Sequence, residues 1–258
     1  MIDIHTHILP GVDDGAEHWK DTLDMARAAV SEGITTIIAT PHHANGRYFN
    51  SAVEVVEHTR YINEQLLALG VPVTILPGQE IRVHIDLLEA WSRAELLPLA
   101  NSNYVLIEMP SSHIPKEMDE LIHELKIMKL KPIIAHPERN AEVIENPQRL
   151  AALIQRGAFA QVTSHSLLGG FGRKIEKMSW LLCSSGLIHI VSSDAHHVQR
   201  RGFRLREVYD VINERMGEQW YNYFINNAQC IVEDKPFNSA PTSVSSKSVL
   251  RRILSYFS

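Results

Sequence analysis

Apolar, strand-like segments alternate with amphipathic, helix-like segments along almost the entire chain. Residues 34–40 are apolar and β-branched, and residues 51–69 then repeat apolar positions with helical spacing before Gly70 ends the pattern. About seven such strand-then-helix units follow one another without a change in composition. Strands that are apolar throughout are typical of parallel sheets that are buried on both faces. The alternation therefore predicts an α/β fold.

The segments can be placed to within a few residues. The predicted strands cover residues 1–7, 34–40, 73–76, 103–108, 131–136, 158–163 and 187–193. The predicted helices cover residues 17–32, 51–69, 85–96, 116–130, 146–157, 171–185, 204–216 and 217–227. Roughly 230 residues of this pattern suit one barrel-like α/β domain better than two domains. An open doubly wound sheet is the competing architecture, but no glycine-rich phosphate-binding motif follows any strand, so nucleotide binding is not supported.

The composition changes near the C-terminus. We expect one folded domain over residues 1–235 and a second region, residues 236–258, that is a Ser/Pro-rich linker followed by a short basic amphipathic tail. Within residues 249–257 four apolar side chains share one helical face, and Arg251 and Arg252 lie off it. We favour packing of this tail on the body or on a neighbour. The alternative is a contact with a membrane surface or a partner.

Composition narrows the class of protein. No apolar run reaches the ~18 residues of a membrane-spanning helix, and the first residues lack the basic and apolar regions of a secretory signal. The chain has only two cysteines, Cys183 and Cys230, and they lie far apart in the sequence. This low cysteine content fits a reduced, cytoplasmic protein best. Neither cysteine is followed by the arginine that a cysteine-based tyrosine phosphatase needs. The formal net charge of −5 argues against binding nucleic acid through bulk positive charge.

Side chains that can bind metal ions follow the strands. The chain has 14 histidines, more than its Phe and Trp residues together. In a parallel barrel the carboxyl ends of all strands meet at one rim. Nine residues of ligand type lie at six predicted strand ends: His5, His7, Asp14, His42, Glu80, Glu108, His136, Asp194 and His196.

Metal binding explains this grouping better than independent structural roles for each residue. Without cations, four carboxylates would repel one another at one rim. Nine ligands are too many for a single tetrahedral ion, so the sequence predicts a cluster of two or three divalent ions. Nitrogen and oxygen ligands without thiolate suit Mn, Fe or Zn.

A rim with several metal ions indicates hydrolysis. Such ions lower the pKa of bound water and stabilise both the attacking and the leaving oxygen. Arg139 and Arg201 stand near candidate ligands, and the guanidinium fork matches phosphate oxygens. We therefore interpret Arg139 and Arg201 as phosphate-binding residues. The simpler alternatives are a salt bridge from Arg139 to Glu138 or Glu142 and a solvated loop around Arg201.

Six motifs occur in order with compatible spacing. They are Ile4-His5-Thr6-His7-Ile8-Leu9-Pro10, Asp13-Asp14-Gly15, Ala39-Thr40-Pro41-His42-His43, Pro77-Gly78-Gln79-Glu80, Ile134-Ala135-His136-Pro137-Glu138-Arg139 and Ser193-Asp194-Ala195-His196. Through them the chain resembles the PHP superfamily, named for polymerase and histidinol phosphatase domains. More narrowly, it resembles the manganese-dependent tyrosine-protein phosphatases of bacterial capsule and exopolysaccharide clusters. The resemblance extends from residue 1 to about residue 235. His165 departs from the family pattern, which commonly has Gly between two serines at this point.

The resemblance implies a distorted TIM-like (β/α)7 barrel of PHP type that holds three Mn ions. The ligand sets that it implies are His5, His7, Glu80 and Asp194; Glu80, Glu108 and His136; and Asp14, His42 and His196. It also implies attack of a metal-activated hydroxide on phosphorus, with Arg139 and Arg201 neutralising the phosphoryl oxygens.

The resemblance further implies a biological role. The substrate would be the phosphotyrosine-bearing tail of a cognate bacterial tyrosine kinase that regulates capsule or exopolysaccharide synthesis. The enzyme would then work in the cytoplasm, at or near the inner face of the cell membrane. Two alternatives stay open: a small-molecule phosphatase of the histidinol-phosphate type or another phosphoesterase on the same site, and a metal-binding regulator without turnover.

Overall fold

The computed structural model describes residues 1–241 of the 258-residue chain. In these residues the strands are β1 Ile2–Thr6, β2 Thr36–Ala39, β3 His42–His43, β4 Thr74–Pro77, β5 Glu80–Arg82, β6 Tyr104–Glu108, β7 Lys131–Ala135, β8 Phe159–Thr163 and β9 Ile190–Ser192. The α-helices are α1 Trp19–Ser31, α2 Ala52–Ala68, α3 Leu87–Ser92, α4 Met118–Ile127, α5 Ala141–Glu145, α6 Pro147–Gln155, α7 Ser164–Leu167, α8 Arg173–Ser184, α9 Leu205–Met216 and α10 Glu218–Val232.

The strands form two parallel sheets. One sheet has the order β1-β2-β4 and the other has the order β3-β5-β6-β7-β8-β9. Residues 40–41 connect β2 directly to β3, and residues 78–79 connect β4 directly to β5. Each of these pairs therefore acts as one long strand with an interruption, and the two sheets together make seven strand positions.

The last strand position returns to the first. Thr6 forms a parallel bridge with Ala195, which follows β9. The backbone N–H of His7 donates to the carbonyl of Ala195 at 2.8 Å, and that of Asp194 donates to the carbonyl of His5 at 2.9 Å. The parallel α/β architecture is as predicted, and this bridge links the last strand position to the first, the order of neighbours expected for a distorted seven-strand barrel.

Local sequence sets several of the helix boundaries. At the start of α2, Ser51 and Glu54 form a reciprocal capping box that satisfies free backbone N–H groups. At the start of α6, Pro147 occupies the first turn, where its missing N–H costs nothing. These features are visible in the sequence, and both helices were predicted.

Several elements differ from the sequence-based prediction. The helix predicted over residues 85–96 is only Leu87–Ser92, and the helix predicted to end at residue 227 continues to Val232. This last turn forms because Ala228 and Ile231 are buried. The short strands β3 and β5 and the short helices α5 and α7 were not predicted.

The apolar core has two parts. A large cluster fills the space between the strands and the surrounding helices. A smaller cluster joins buried side chains of five strands to Ala228 and Ile231 of α10. Both faces of the parallel strands are thus buried, as their apolar sequences require.

The described part of the C-terminal region contacts the barrel. The ring of Phe237 stacks on Tyr104 with 4.6 Å between centroids, and the N–H of Asn238 donates to Asn227 Oδ1 at 3.1 Å. The domain boundary at residue 235 stays a prediction. The amphipathic tail predicted over residues 249–257 lies outside the described residues. Among residues 1–241, no helix combines the length and apolar character needed to cross a bilayer.

Candidate metal centre

The end of β1 supplies two buried imidazoles. The Nε2 atoms of His5 and His7 lie 3.3 Å apart. Nδ1 of His5 lies 3.2 Å from Oε1 of Gln161, and Nδ1 of His7 lies 2.6 Å from Oδ2 of Asp13. Each ring is therefore held by its Nδ1 atom, which leaves Nε2 for a metal ion.

The loop after His7 folds back on the strand it leaves. The N–H of Ala16 donates to the carbonyl of His7 at 3.0 Å. A Cβ atom added at Gly15 would lie 2.0 Å from this carbonyl oxygen, so the close approach requires glycine. The turn places the Asp14 carboxylate 3.4 Å from Nε2 of both His42 and His196.

The two short strands β3 and β5 align His42 with Glu80. These residues are direct partners in the parallel pairing. Glu80 is fully buried and lies between two imidazoles, with Oε2 2.8 Å from His42 Nδ1 and Oε1 2.7 Å from His136 Nε2. The neighbouring strand β6 ends at Glu108, whose Oε2 lies 3.7 Å from His42 Nδ1.

Two candidate ligands have a left-handed backbone conformation. His136 has φ of 33° and Asp194 has φ of 56°. This conformation costs roughly 1–2 kcal/mol for a residue with a Cβ atom. It occurs shortly after β7 and β9, where it turns both side chains into the mouth of the barrel. Backbone strain of this kind is concentrated at functional sites.

All nine predicted ligands come together. They form four overlapping groups in which ligand atoms lie within 4.8 Å of one another. The groups are His7, Asp14, His42 and His196; His5, His7 and Glu80; His5, His136 and Asp194; and His42, Glu80 and Glu108.

The spacing of these atoms fits metal binding. Ligand atoms about 2.1 Å from a shared ion lie roughly 3.0–3.5 Å apart in octahedral or tetrahedral geometry. Asp194 Oδ1 lies 3.4 Å from His5 Nε2 and 3.3 Å from His7 Nε2, and Glu80 Oε2 lies 3.4 Å from His5 Nε2. These distances are long for hydrogen bonds and match two ligands of one ion.

Unpaired buried oxygens also fit a cation. Among the described residues, Glu80 Oε2, Glu108 Oε2 and Asp194 Oδ1 are buried and accept no hydrogen bond of good geometry, although His42 Nδ1 lies 2.8 Å from Glu80 Oε2 and Arg82 Nε lies 3.0 Å from Glu108 Oε2. A buried carboxylate oxygen without a partner is costly. These oxygens face several imidazole nitrogens, and a divalent ion bound between them would satisfy them.

The protonation states of Glu80 and His136 agree with this donor set, whereas the carboxylates of Asp13 and Glu80 outweigh burial and raise the pKa values of His7 and His42. Burial alone would raise the pKa of Glu80, but the nearby His5 and His42 outweigh it and hold that pKa well below its usual range. Burial, followed by the charge of Arg139, lowers the pKa of His136 to about 4. Burial and the charge of Glu80 raise the pKa of Glu108 to about 7. His136 is thus neutral at neutral pH, the form that binds metal.

Both predicted phosphate-binding arginines reach the centre. Arg139 and Arg201 each donate from Nη2 to the same oxygen, Oδ2 of Asp194. Their side chains are 19% and 26% exposed, so the guanidinium groups lie at the edge of the mouth. Arg139 therefore forms its ion pair with Asp194 rather than with Glu138 or Glu142, and Arg201 is anchored rather than solvated.

Three residues beside the ligands were missed by the sequence analysis. Asp13 and Gln161 hold His7 and His5, and Arg82 Nε lies 3.0 Å from Oε2 of Glu108. Gln161 gave a usable signal, because it is a polar residue within an apolar strand. Asp13 was obscured by its neighbour Asp14, which was chosen as the ligand.

The fold and the donor set define the class of protein: an α/β barrel with a candidate metal centre at the carboxyl ends of its strands. Within that class, the chain belongs to the CpsB/CapC family of capsular polysaccharide synthesis, whose family model matches residues 1–233.

Curated relatives match along nearly the whole chain. The chain is 42% identical to the tyrosine-protein phosphatase YwqE of Bacillus subtilis over 241 residues, which is 93% of this chain and 95% of that protein. It is 27% identical to the tyrosine-protein phosphatase CpsB of Streptococcus pneumoniae, over 91% of this chain and 99% of that protein.

Solved structures agree with this relationship. One comes from the crystal structures of YwqE from Bacillus subtilis and CpsB from Streptococcus pneumoniae, described as unique metal-dependent tyrosine phosphatases. It matches with a TM-score of 0.91 and 41% identity, over 95% of this chain and all of that one. A lactonase from Listeria monocytogenes shares the fold, with a TM-score of 0.51 and 12% identity over 92% of this chain and 95% of that one.

Proposed function

We propose that this protein is a metal-dependent protein-tyrosine phosphatase. The observation that carries the proposal is the convergence of nine candidate metal ligands and two arginines at one barrel mouth. The names of the relatives support phosphotyrosine as the substrate, since YwqE and CpsB are named as tyrosine-protein phosphatases. Neither cysteine is suited to act as the nucleophile, because burial raises the pKa of both the Cys183 and the Cys230 thiol and keeps them protonated.

The proposed metal cluster contains three divalent ions, with Mn as the working ion. One ion is held by His5, His7, Glu80 and Asp194, a second by Glu80, Glu108 and His136, and a third by Asp14, His42 and His196. The observed groups support these sets in part. Asp14, His42 and His196 fall together, whereas Glu108 groups with His42 and His136 groups with His5. When bound, such ions supply Lewis acidity and a hydroxide nucleophile at neutral pH.

The protein's own residues bind and orient the phosphoryl group. Arg139 and Arg201 already point their guanidinium groups at one atom, Asp194 Oδ2. A phosphoryl group at the mouth offers further oxygens to the same two guanidinium groups. It also neutralises the positive charge that remains when two arginines pair with the single carboxylate of Asp194. Phe171 lies against both arginines and limits their exposure to water.

The proposed substrate is a phosphotyrosine-bearing segment of a cognate bacterial tyrosine kinase. The family description supports a role in capsular polysaccharide synthesis. We place this activity in the cytoplasm, at or near the inner face of the membrane. For residues 249–257, a contact with the membrane or a partner is the alternative to packing on the body or on a neighbour.

Matched substrates test the proposal. Phosphate release is measured with a phosphotyrosyl peptide, the same peptide carrying phosphoserine, and histidinol phosphate, with Mn²⁺, Zn²⁺ or Fe²⁺ added to the full-length protein. We expect turnover that prefers the phosphotyrosyl peptide and is greatest with Mn²⁺. A preference for histidinol phosphate would contradict the substrate assignment and leave the metal centre in place. Metal binding without turnover of any substrate would indicate a regulator.

A further inference from the structure

An aromatic side chain lies at the mouth beside both Arg139 and Arg201. The ring of Phe171 has the Cζ atom of Arg139 5.2 Å from its centroid and that of Arg201 5.7 Å from it. Its side chain is nevertheless 37% exposed. The ring therefore packs on the guanidinium pair while part of its surface is open to whatever approaches the arginines.

The loop that carries Phe171 is shaped for this position. Glycines surround it, and Gly169 and Gly172 have φ of 78° and 90°, values that side chains rarely adopt. A Cβ atom at Gly170 would lie 2.8 Å from Nδ1 of His165, whose ring is 6.0 Å from that of Phe171. The N–H of Gly172 donates to the carbonyl of Gly169 at 3.0 Å, so the turn is closed by its own backbone.

We propose that Phe171 is a specificity-determining residue that packs against the aromatic ring of the substrate's phosphotyrosine. The inference rests on the proposed function, because it extends the same site to the group that carries the phosphate. A phosphoryl group bound by Arg139 and Arg201 brings its ester oxygen, and hence the phenol ring, next to the open side of Phe171. Such ring–ring contacts increase binding affinity by about a factor of ten at most, in addition to the effect of the apolar area that they bury. Phosphoserine has no ring to offer, so the contact favours aryl phosphates.

Two alternative roles lead to different binding behaviour. Phe171 could act only as an apolar cover that keeps water from the arginines and so strengthens their interaction with phosphate. In that case it would raise the affinity for every phosphate ligand alike. Tyr48, on the loop after β3, could supply the aromatic contact instead, since its ring lies nearly parallel to that of His42 with centroids 6.2 Å apart.

Binding of two phosphonates separates these roles without relying on turnover. Phenylphosphonate and ethylphosphonate carry the same charged group on a bond that the enzyme cannot hydrolyse as an ester. Their affinities for the metal-loaded, full-length protein are measured by calorimetry for the wild type and for Phe171→Ala, Phe171→Leu, Phe171→Tyr and Tyr48→Ala. Tyr61→Ala is the matched control, because Tyr61 is an exposed aromatic residue on α2, outside the proposed site.

We expect Phe171→Ala and Phe171→Leu to weaken phenylphosphonate roughly tenfold and ethylphosphonate less than twofold, and Phe171→Tyr to keep the wild-type preference. Equal losses for both ligands would overturn the proposal in favour of a cover. An aryl-selective loss in Tyr48→Ala alone would overturn it in favour of Tyr48. If the wild type bound neither ligand, the proposed function would fail together with the inference, an outcome distinct from the other two.

Discussion

Glu80 lies within 3.5 Å of four imidazoles of the centre, those of His5, His7, His42 and His136. Its two oxygens lie 2.8 Å from His42 and 2.7 Å from His136, and Oε2 also lies 3.4 Å from His5. The residue is fully buried, so these contacts are not weakened by solvent. Loss of any neighbouring imidazole leaves part of this buried charge without a partner, which makes single ligand changes informative.

His136→Ala should remove most turnover and leave the fold intact. The change removes an imidazole at the mouth but no part of the apolar core. It leaves Oε1 of Glu80 without its partner His136. We expect phosphotyrosyl turnover to fall roughly a hundredfold or more, with an unchanged far-UV circular dichroism spectrum. The control is His58→Ala on the exposed face of α2. Activity that survived His136→Ala in buffer with controlled metal would remove His136 from the ligand set.

Asp13→Asn should weaken metal binding without removing a ligand. The carboxylate holds Nδ1 of His7 at 2.6 Å and accepts a hydrogen bond from the N–H of His42 at 3.1 Å. An amide keeps the shape of this contact but loses its charge. Residues in this position typically contribute roughly 10- to 100-fold to metal affinity, so we expect a loss of about that size in competition with a chelator. An unchanged affinity would mean that Asp13 has only a structural role.

Individual residues at the site were predictable to different degrees. The nine candidate ligands were found because each follows an apolar strand, and the fold brings strand ends together. Asp13, Gln161 and Arg82 escaped because their role is defined by the side chain they touch, such as Gln161 on His5, 156 positions away in the sequence. No local pattern carries that information. Whether the nine bind metal in the predicted sets stays a prediction.

At the level of elements, two interrupted strands build the centre. The chain passes from β2 to β3 through residues 40–41 and from β4 to β5 through residues 78–79. A Cβ atom at Gly78 would lie 2.9 Å from Ile38 Cγ2, so the interruption is packed tightly against β2. The sequence did not predict β3 and β5, since two or three residues after a proline or glycine give no periodic signal. Their pairing places His42 beside Glu80.

Gly15→Ala tests the turn after β1. The new Cβ atom would collide with the carbonyl of His7, so we expect a loss of about 3 kcal/mol in the free energy of unfolding, measured with urea. Gly70→Ala is the comparison, because Gly70 has φ of 66° and open space, and strain alone costs about 1 kcal/mol there. Equal losses in the two variants would contradict the close-approach argument.

At the scale of the whole molecule, the barrel joins distant parts of the chain. The bridge between Thr6 and Ala195 brings the first and last strand positions together, and Asp194 reaches the site through it. The general fold was predicted from the alternation of segments and is confirmed by the family match and the structural similarity. The pairing between the first and last strand positions was not predicted, because local sequence patterns do not indicate which residues pair across such a distance in the chain.

His189 links the stability of the barrel to pH. The side chain packs on Phe159 and its Nδ1 accepts the N–H of Ala160 at 3.2 Å, and burial lowers its pKa to about 4 from the ordinary 6.5. The unfolded chain therefore binds this proton more readily. The neutral His189 side chain makes its full contribution to the free energy of unfolding at pH values well above about 6.5. That free energy falls as the pH drops towards 4, and His189 accounts for about 2 kcal/mol of the loss at about pH 5.

A substitution isolates this contribution. In His189→Asn the amide oxygen takes the place of Nδ1 without titrating. Urea unfolding of both proteins at about pH 8 and about pH 5 should show that the wild type loses about 2 kcal/mol more than the variant. His58→Asn, on the exposed face of α2, should behave as the wild type. Parallel losses in the wild type and His189→Asn would show that His189 is protonated in the folded protein.

The gathered side chains are proposed to form a metal centre that hydrolyses phosphotyrosine. The most direct test is a titration of the chelator-stripped, full-length protein with Mn²⁺, in which bound ions per chain and phosphotyrosyl turnover are measured on the same samples. We predict no turnover in the stripped protein, three ions at saturation, and turnover that rises as the ions bind. Full turnover in the stripped protein, or saturation with Mn²⁺ that restores none, would contradict a catalytic metal centre.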